Sequence, residues 1–561
     1  MPSSSISALE SIYQSLQKRG CISQVTPNFI SGISRFKLSP NSTSRSPPSV
    51  YAGFDPTAPS LHLGHASVIA MLVRMQRSFG LRPVALIGST TARIGDPSGR
   101  SATALDRPKL SSDIVTANAA GIKKNLERVF DFSQSTISCA QPSHSPLLVD
   151  NKSFYESISV VDFFSDFGRH FRLSSMLNKE SVKSRLGVMV TNNNKDEVND
   201  DKNMNLHTTT TSTIPTSTQT IQNNVVSNNN TSGMSFAEFS YQVFQSSDFL
   251  HLYQRENCVL QIGGADQWGN ITAGIELIRR MQTIDSTISS LSTSTSTTSI
   301  SSDVLVGAHG LTVPLLTTSS GTKFGKSEGN AIWLSESLTS NHTFFQFLLR
   351  TSDADVGTLL RQLTLLPDES IDAILIEHVK TPELKKAQLV LAESLTNLYR
   401  GSEAVASAKK SSAILYGGTG IWNSLDKTTS QDESLTKENE SINVDLNTTK
   451  TSNDFLPQRA LFASIKASDL LDLGNSNDIP MITLSMDNFR KSTIPSLCLI
   501  TGAVKSISEG KRAILNGGIY LNWKRVVNDR KEDGFSQKDL IENQVCVLGF
   551  GKKKTFLIKI S

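Results

Sequence analysis

The sequence has few cysteines, and no two of them stand close enough to act together. Cys21, Cys139, Cys258, Cys498 and Cys546 are the five in 561 residues, with no C-x-x-C spacing among them. That gives no support to a thiolate zinc site or a disulfide-stapled scaffold, and a reducing compartment fits best. No apolar run approaches membrane-spanning length, which excludes a helical membrane span. A strong excess of one charge is also missing. The net charge is +4, too small by itself to argue for a nucleic-acid partner. The imbalance is local instead: from Arg490 to Ser561 there are 14 Lys or Arg against 6 Asp or Glu, which leaves −4 for the remainder. A basic end on a mildly acidic body suits a polyanion.

Apolar residues are somewhat scarce at 38%, against roughly 45–50% in an average globular chain. The deficit is concentrated in three stretches. Thr191 to Thr231 carries TNNN, TTTTST and SNNN runs, Thr283 to Ser302 is mostly Ser and Thr, and Lys427 to Asn453 is Ser, Thr, Asn, Lys and acid. Such segments lack the apolar surface that offsets the entropy of ordering, so they are predicted to be disordered insertions or linkers. What remains is a set of compact blocks: 48–190 with 233–335, then 340–420, then 456–561. That agrees with the two to four folding units expected of this length. The first fifty residues are Ser-rich, with Glu10 the one acid against Lys18, Arg19, Arg35, Lys37 and Arg45. This composition has two readings. It matches an organellar transit segment, and Ile6 to Leu16 also has the apolar spacing of an ordinary first helix.

The first block reads as α/β. Ser49–Phe54 is predicted as a short strand, Leu63–Arg77 as an amphipathic helix, and the apolar run Arg82–Ile87 as a buried parallel strand. Strand, loop and helix in repetition predict a doubly wound, Rossmann-type parallel sheet. Phe344 to Leu365 is helical by periodicity, and the last block mixes short helices and strands.

Three pieces carry chemistry. In YAGFDPTAPSLHLGHA, Tyr51 to Ala66, a strand end runs through a turn-rich segment into a helix start. Ligands in open α/β sheets bind there, where free N–H groups meet anions. His62 and His65 are expected on one face of the first turn, able to bond phosphates, with Gly64 leaving room for a flat purine. The second piece is KFGKS, Lys323 to Ser327, a Gly-flanked loop whose two lysines suit charge building on a leaving pyrophosphate. The third is QIGGADQWGN, Gln261 to Asn270, after SFAEFSYQVFQSSDF, Ser235 to Phe249. If the latter is a helix, Tyr241, Gln245 and Asp248 share one face. Gln245, Asp248, Gln261, Asp266 and Gln267 are then able to bond an ammonium and a phenol. Each piece alone is more often a wet helix face or a surface turn; their joint presence in this order is not.

H-x-G-H followed far downstream by K-x-x-K-S resembles the class I aminoacyl-tRNA synthetases. The wording YAGFDPTAPSLHLGH, IGDPSGR, FSYQVFQSSDF, LQIGGADQWGNITAGIELIRR and GLTVPLLTTSSGTKFGKSEGNAIWL resembles their tyrosyl members of bacterial and mitochondrial type, over about Pro48 to Leu366. EGKRAILNGGIYLNWKRVVND resembles the S4-type RNA-binding fold. The resemblance implies a catalytic domain at 1–335 with insertions at 191–231 and 283–302, and a helical anticodon-binding domain at 336–420. A linker at 421–455 and an S4-like α+β domain at 456–561 follow.

It further implies that Tyr51 and Asp248 bond the phenolic hydroxyl of tyrosine, and that Asp96, Tyr241, Gln245 and Gln267 hold its ammonium. Gly53, Asp55, Thr57, His62, Gly64, His65, Gly264 and Asp266 would line the ATP and adenylate site. Lys323, Lys326 and Ser327 would grip the triphosphate, with Mg²⁺ accompanying ATP and no zinc. Lys505, Lys511, Arg512, Lys524 and Arg525 would meet RNA phosphates, and Gly517 and Gly518 fit a tight turn between helix and strand. The run Lys552 to Lys554 reads as a solvated face. Val160–Phe171 resembles the dimer-forming region, so a homodimer is expected. The implied partners are tRNA(Tyr), tyrosine and ATP, with no membrane.

Some positions depart from the family's wording. Arg100 and Arg107 compete for the arginine after IGDPSG, Ala265 stands where serine is common, and Arg93 where a small or apolar residue is usual. Bacterial-type wording with Asn/Ser/Thr-rich insertions predicts a mitochondrial (matrix) protein, with the cytoplasm as the alternative. A group I intron splicing cofactor on the same scaffold is the alternative function, and intact His62, His65, Lys323 and Lys326 speak against loss of catalysis. Another H-x-G-H nucleotidyltransferase, or a tryptophanyl enzyme, is disfavoured by the Tyr51/Asp248 pair.

Overall fold

The structure, a computed structural model, describes residues 2–38, 48–100, 109–132, 145–186, 234–292, 307–327, 330–416, 465–475, 479–526, 535–551 and 554–561. Thr191–Thr231, Lys427–Asn453, Cys139, Arg107, Lys552 and Lys553 lie outside these residues. Of Lys326 and Ser327 the backbone alone is described.

Six strands form the first sheet: β1 (Gln24–Val25), β2 (Ser49–Phe54), β3 (Arg82–Ile87), β4 (Leu147–Asp150), β5 (Cys258–Gly264) and β6 (His309–Val313). Their order is β1-β6-β5-β2-β3-β4. All pairings among β2 to β6 are parallel, and β1 is antiparallel at the edge. β2 and β3 have the predicted bounds. Helices cover both faces of their sheet, so nearly every side chain along them is buried and the strands read as unbroken apolar runs. The chain winds from β2 to β3 and β4 in one direction and from β5 to β6 in the other. The carboxyl ends of β2 and β5 therefore flank a topological switch point, where open α/β sheets form a crevice.

The helix expected at Leu63–Arg77 opens instead with a short 3₁₀ turn, Leu63–His65, and becomes α-helical at Ala66, ending at Phe79 before a left-handed Gly80. The helix expected from Ser235 is Phe236–Glu256. Ser235 accepts the amide of Glu238 as its N-cap, and Asn257 at φ 49° ends it. The Thr283–Ser302 segment departs from expectation, because the Trp268–Ser292 helix continues through its first half. Once Ile271, Leu277 and Ile278 are docked, each further residue adds a backbone bond, and Ser or Thr costs less than about 0.7 kcal/mol there. The N-terminal stretch follows its helix reading. Pro2–Lys18 is helical, Leu9 and Leu16 are buried, and Arg19 pairs with Asp368 at 2.8 Å.

Lys326–Ser327 (β7) and Asn330–Ala331 (β8) make a small antiparallel pair. Beyond them lie five helices, Asn341–Leu349, Asp353–Leu363, Asp368–Lys380, Lys386–Arg400 and Ser402–Tyr416. The helical run read at Phe344–Leu365 is thus two helices, the second capped by Ser352, which accepts the amide of Asp355. One hydrophobic core runs from the sheet into these helices. Arg74, buried beneath Ala66–Phe79, donates to the carbonyls of Arg361, Gln362 and Thr364 at 2.7–3.0 Å. A cation there complements the carbonyl end of Asp353–Leu363.

The last block is a separate sheet of β9 (Met481–Leu484), β10 (Ile519–Leu521), β11 (Lys524–Arg525), β12 (Val545–Phe550) and β13 (Lys554–Ile560), ordered β11-β10-β12-β13-β9. Its core includes the helices Ile494–Ile500 and Ile507–Leu515. Gly517, at φ +65°, and Gly518 make the turn from helix to strand, as expected. The four described cysteines are free and buried. Among the described residues no helix is long and apolar enough to cross a membrane.

Candidate functional site

A cleft of about 520 Å³ opens at the switch point, within the usual 300–1,000 Å³ of small-molecule sites. It gathers Tyr51, Gly53, Asp55, Thr57, His62, Gly64, His65, Asp96, Tyr241, Gln245, Asp248, Gln261, Gly264, Asp266, Gln267 and Lys323. The elements that deliver them are β2 with the loop after it, the Phe236–Glu256 helix, β5 with its turn, and the KFGKS loop.

At the deep end, Asp248 is buried and receives two hydrogen bonds, from the Tyr155 hydroxyl to Oδ1 at 2.6 Å and from Asn151 Nδ2 to Oδ2 at 3.0 Å. Burial pushes its carboxyl from 3.8 up to about 7, although both hydrogen bonds pull the other way. Tyr51, 1% exposed, lies across from it with a buried hydroxyl that has no protein partner, and the Oε1 of Gln261 is likewise unpartnered. Burial, and then the charge of Asp248, keep the Tyr51 phenol protonated. A buried polar atom without a partner costs about 1–3 kcal/mol, and of the atoms left so among the described residues these two line the cleft, where a polar ligand group fits.

The middle of the cleft is acidic. The hydroxyls of Tyr241 and Thr91 donate to the two oxygens of Asp55 at 2.9 and 2.6 Å. Gln267 Nε2 donates to Asp96 Oδ2 at 2.8 Å, and Asn270 Nδ2 bridges Gln245 Oε1 and Gln267 Oε1 at 3.0 and 3.2 Å. Burial and the neighbouring Asp96 raise the Asp266 carboxyl. Asp55, Asp96 and Asp266 all line the cleft, and their charge suits a cation.

The outer end joins the two distant motifs. Leu63 N donates to Ile332 O and Leu334 N to Leu61 O, while Gly325, at φ +88°, packs on Leu63 and Gly64. The His62 and His65 rings lie 4.2 Å apart. They do not share an α-helical face: His62 caps the 3₁₀ turn, its Nδ1 accepting the amide of Gly64. Gly64 borders the cleft, and a Cβ there would meet the His62 ring at 2.7 Å. The glycine thus also lets that ring fold over the turn. Burial, with His62 adjacent, lowers His65 to about 3, so it is neutral at physiological pH. Lys323 is exposed at the rim.

Arg100 lines the cleft and pairs with Glu238 at 3.2 Å, whereas Arg93 is exposed outside it. Lys505, Lys511, Arg512, Lys524 and Arg525 are exposed on the C-terminal block, apart from the cleft; Arg525 extends its guanidinium over Gly517. Sequence reading missed the roles of Thr91, Asn151, Tyr155 and Asn270. Asn270 ends a motif already singled out, but nothing local marks Asn151 or Tyr155.

A family model described as "tRNA synthetases class I (W and Y)" matches residues 43–192 and 190–417. The tyrosine–tRNA ligase of Flavobacterium johnsoniae is 33% identical over 513 residues, covering 91% of this chain and 93% of that one. The mitochondrial tyrosine–tRNA ligase of Drosophila melanogaster is 37% identical over 374 residues, 66% of each chain. Among solved structures, a C-terminally truncated mitochondrial tyrosyl-tRNA synthetase from Coccidioides posadasii is 28% identical, with a TM-score of 0.51 over 71% of this chain and 91% of that one. The chain belongs to the class I tRNA synthetases, in the family of the tryptophan and tyrosine enzymes, and aligns over nine-tenths of its length with tyrosine–tRNA ligases.

Proposed function

We propose that the chain activates tyrosine with ATP and transfers it to tRNA(Tyr) for organellar protein synthesis. The observation that carries this reading is the unpartnered Tyr51 hydroxyl facing Asp248 at the deep end of a cleft whose middle is lined by carboxylates. A phenol meets the deep pair, Tyr51 donating to its oxygen and Asp248 accepting its hydrogen. The ammonium meets Asp96, Tyr241, Gln245 and Gln267, leaving the amino-acid carboxylate directed at the outer end. There it attacks the α-phosphorus of ATP, forming tyrosyl-adenylate as the bond to pyrophosphate breaks. A ribose hydroxyl of tRNA then attacks the carbonyl and releases AMP.

Neither step needs a covalent enzyme intermediate, so positioning and charge stabilisation do the work. Gly53, Asp55, Thr57, Gly64, Gly264 and Asp266 line the nucleotide. The neutral His65, with His62, offers hydrogen bonds to phosphate, and Lys323, Lys326 and Ser327 meet the triphosphate. Mg²⁺ travels with ATP as part of the substrate.

Residues 336–420 and the S4-like 456–561, with its exposed Lys511 and Arg512, serve the tRNA. Val160 and Val161 are 74% and 75% exposed and lie near exposed Phe164 and Phe236, an apolar face that a second copy would cover in a homodimer. The mitochondrial relatives support a mitochondrial location, which imaging of a C-terminally tagged chain tests; a diffuse cytosolic signal would sink it. The activity itself is tested by amino-acid-dependent ATP–pyrophosphate exchange with all twenty amino acids. Exchange with tyrosine alone is expected, and exchange with none would remove the enzyme reading.

A further inference from the structure

Tyr155 has one phenolic hydrogen and two acceptors within reach, Asp248 Oδ1 at 2.6 Å and the backbone carbonyl of Phe244 at 3.0 Å. One hydrogen cannot serve both. If Tyr155 donates to Asp248, Oδ1 is an acceptor and carries no proton, the arrangement that the ionised carboxylate favours. If it donates to Phe244, the 2.6 Å contact needs a hydrogen from the other side, and only a protonated Asp248 has one to give. The two arrangements interchange by rotation of a single O–H bond. The ring itself need not move, held against Phe163 and Phe244 with centroids 5.9 and 5.5 Å away.

We propose that Tyr155 is a specificity-determining positioning residue, whose hydroxyl holds Asp248 in the ionised, acceptor-only state that a substrate phenol requires. The inference rests on the reading of Tyr51 and Asp248 as the phenol-binding pair. The groups facing Asp248 are Tyr51 on β2, Asp55 after it, Asp150 at the end of β4, Asn151 and Tyr155 beyond, and Tyr241 on its own helix. Burial and the charges of Asp55 and Asp150 oppose ionisation, and Tyr155 and Asn151 favour it. Asn151 cannot respond to the proton. Its Oδ1 accepts the amide of Thr90 at 2.8 Å, which fixes its NH₂ toward Asp248. Tyr155 can, because its hydrogen has a second acceptor. With one bond accepted at each oxygen, Asp248 keeps a lone pair on each for a substrate hydroxyl.

The test is Tyr155→Phe, which keeps the ring and so the packing; an unchanged melting temperature would verify this. Tyrosine-dependent ATP–pyrophosphate exchange is measured from about pH 6 to 9, a range spanning the Asp248 transition. The expected result is a KM for tyrosine raised about tenfold at pH 7 with kcat little changed. KM should recover at higher pH, so that its transition moves up by about one to two pH units. An unmoved transition, or a KM raised equally at every pH, would reduce Tyr155 to packing and overturn the proposal. Asp248→Asn run in parallel separates the two levels. If it retains discrimination against phenylalanine, the phenol-binding pair falls and Tyr155 with it. If it loses discrimination while Tyr155→Phe leaves the pH profile in place, only the assignment of Tyr155 fails.

Discussion

The two ends of the cleft are built differently. At the deep end, Asp248 and Tyr51 are buried, and the Asp248 carboxyl is fixed by side-chain hydrogen bonds from Asn151 and Tyr155, which follow β4, to the Phe236–Glu256 helix. At the outer end, backbone bonds tie the signature turn to Ile332 and Leu334 just after the KFGKS loop, Gly325 of that loop packs on the turn, and Lys323 is left exposed. A buried polar pair discriminates, because a ligand lacking the matching group leaves its atoms unpaired in a low-dielectric site. An exposed lysine cannot discriminate in that way. It can neutralise charge that appears only as pyrophosphate departs.

The contrast is sharpest in Lys323→Ala. Removing a group proposed to act on transition-state charge is expected to lower kcat for pyrophosphate exchange by on the order of 10²–10³, with the KM for tyrosine unchanged. A raised tyrosine KM would mean that the two ends are not separate. Asp248→Asn should do the reverse. It puts an NH₂ where Tyr155 or Asn151 now donates, so kcat/KM for tyrosine should fall about a hundredfold while the KM for ATP holds. Smaller again is Gly64→Ala. Its Cβ would stand 2.7 Å from the His62 ring, so the ring must swing away, and kcat/KM for ATP should drop ten- to a hundredfold, as roughly 1 Å misplacements do. Retained ATP kinetics there would show that the position of His62 is not used.

Much of this was legible before any coordinates. The central strands β2 and β3 read to the residue because both faces are buried, and Tyr241, Gln245 and Asp248 share a helix face because 3.6-residue periodicity is a local property. Asn151 and Tyr155 were not legible for the opposite reason. They stand 97 and 93 residues from Asp248 in sequence and reach it only through the parallel register of β3 against β4. The Gly64 geometry was hidden too, since H-x-G-H spacing fits an α-helical turn and a 3₁₀ turn equally well, and only the fold of the His62 ring distinguishes them. The end of the Trp268–Ser292 helix failed for a third reason: composition measures the capacity to form a core, and a helix already anchored can extend past the last residue that contributes to one.

The deep end also sets stability against binding through the titration of one group. The Asp248 carboxyl stands at about 7 in the folded chain against an ordinary 3.8. Since the folded value is the higher, its contribution to stability is fully present below pH 3.8 and is lost as pH rises through 7. The melting temperature of the wild type should therefore fall relative to Asp248→Asn between about pH 4 and 7 and then run parallel to it. Under the proposed phenol-binding role of Asp248, tyrosine binding needs the ionised carboxylate and should tighten severalfold between about pH 6 and 8. Calorimetric titration of tyrosine, beside melting curves at matched pH, reads both. If binding and stability rise together with pH, Asp248 is not the group that titrates, and the buried acid at the deep end has its proton settled well away from neutrality.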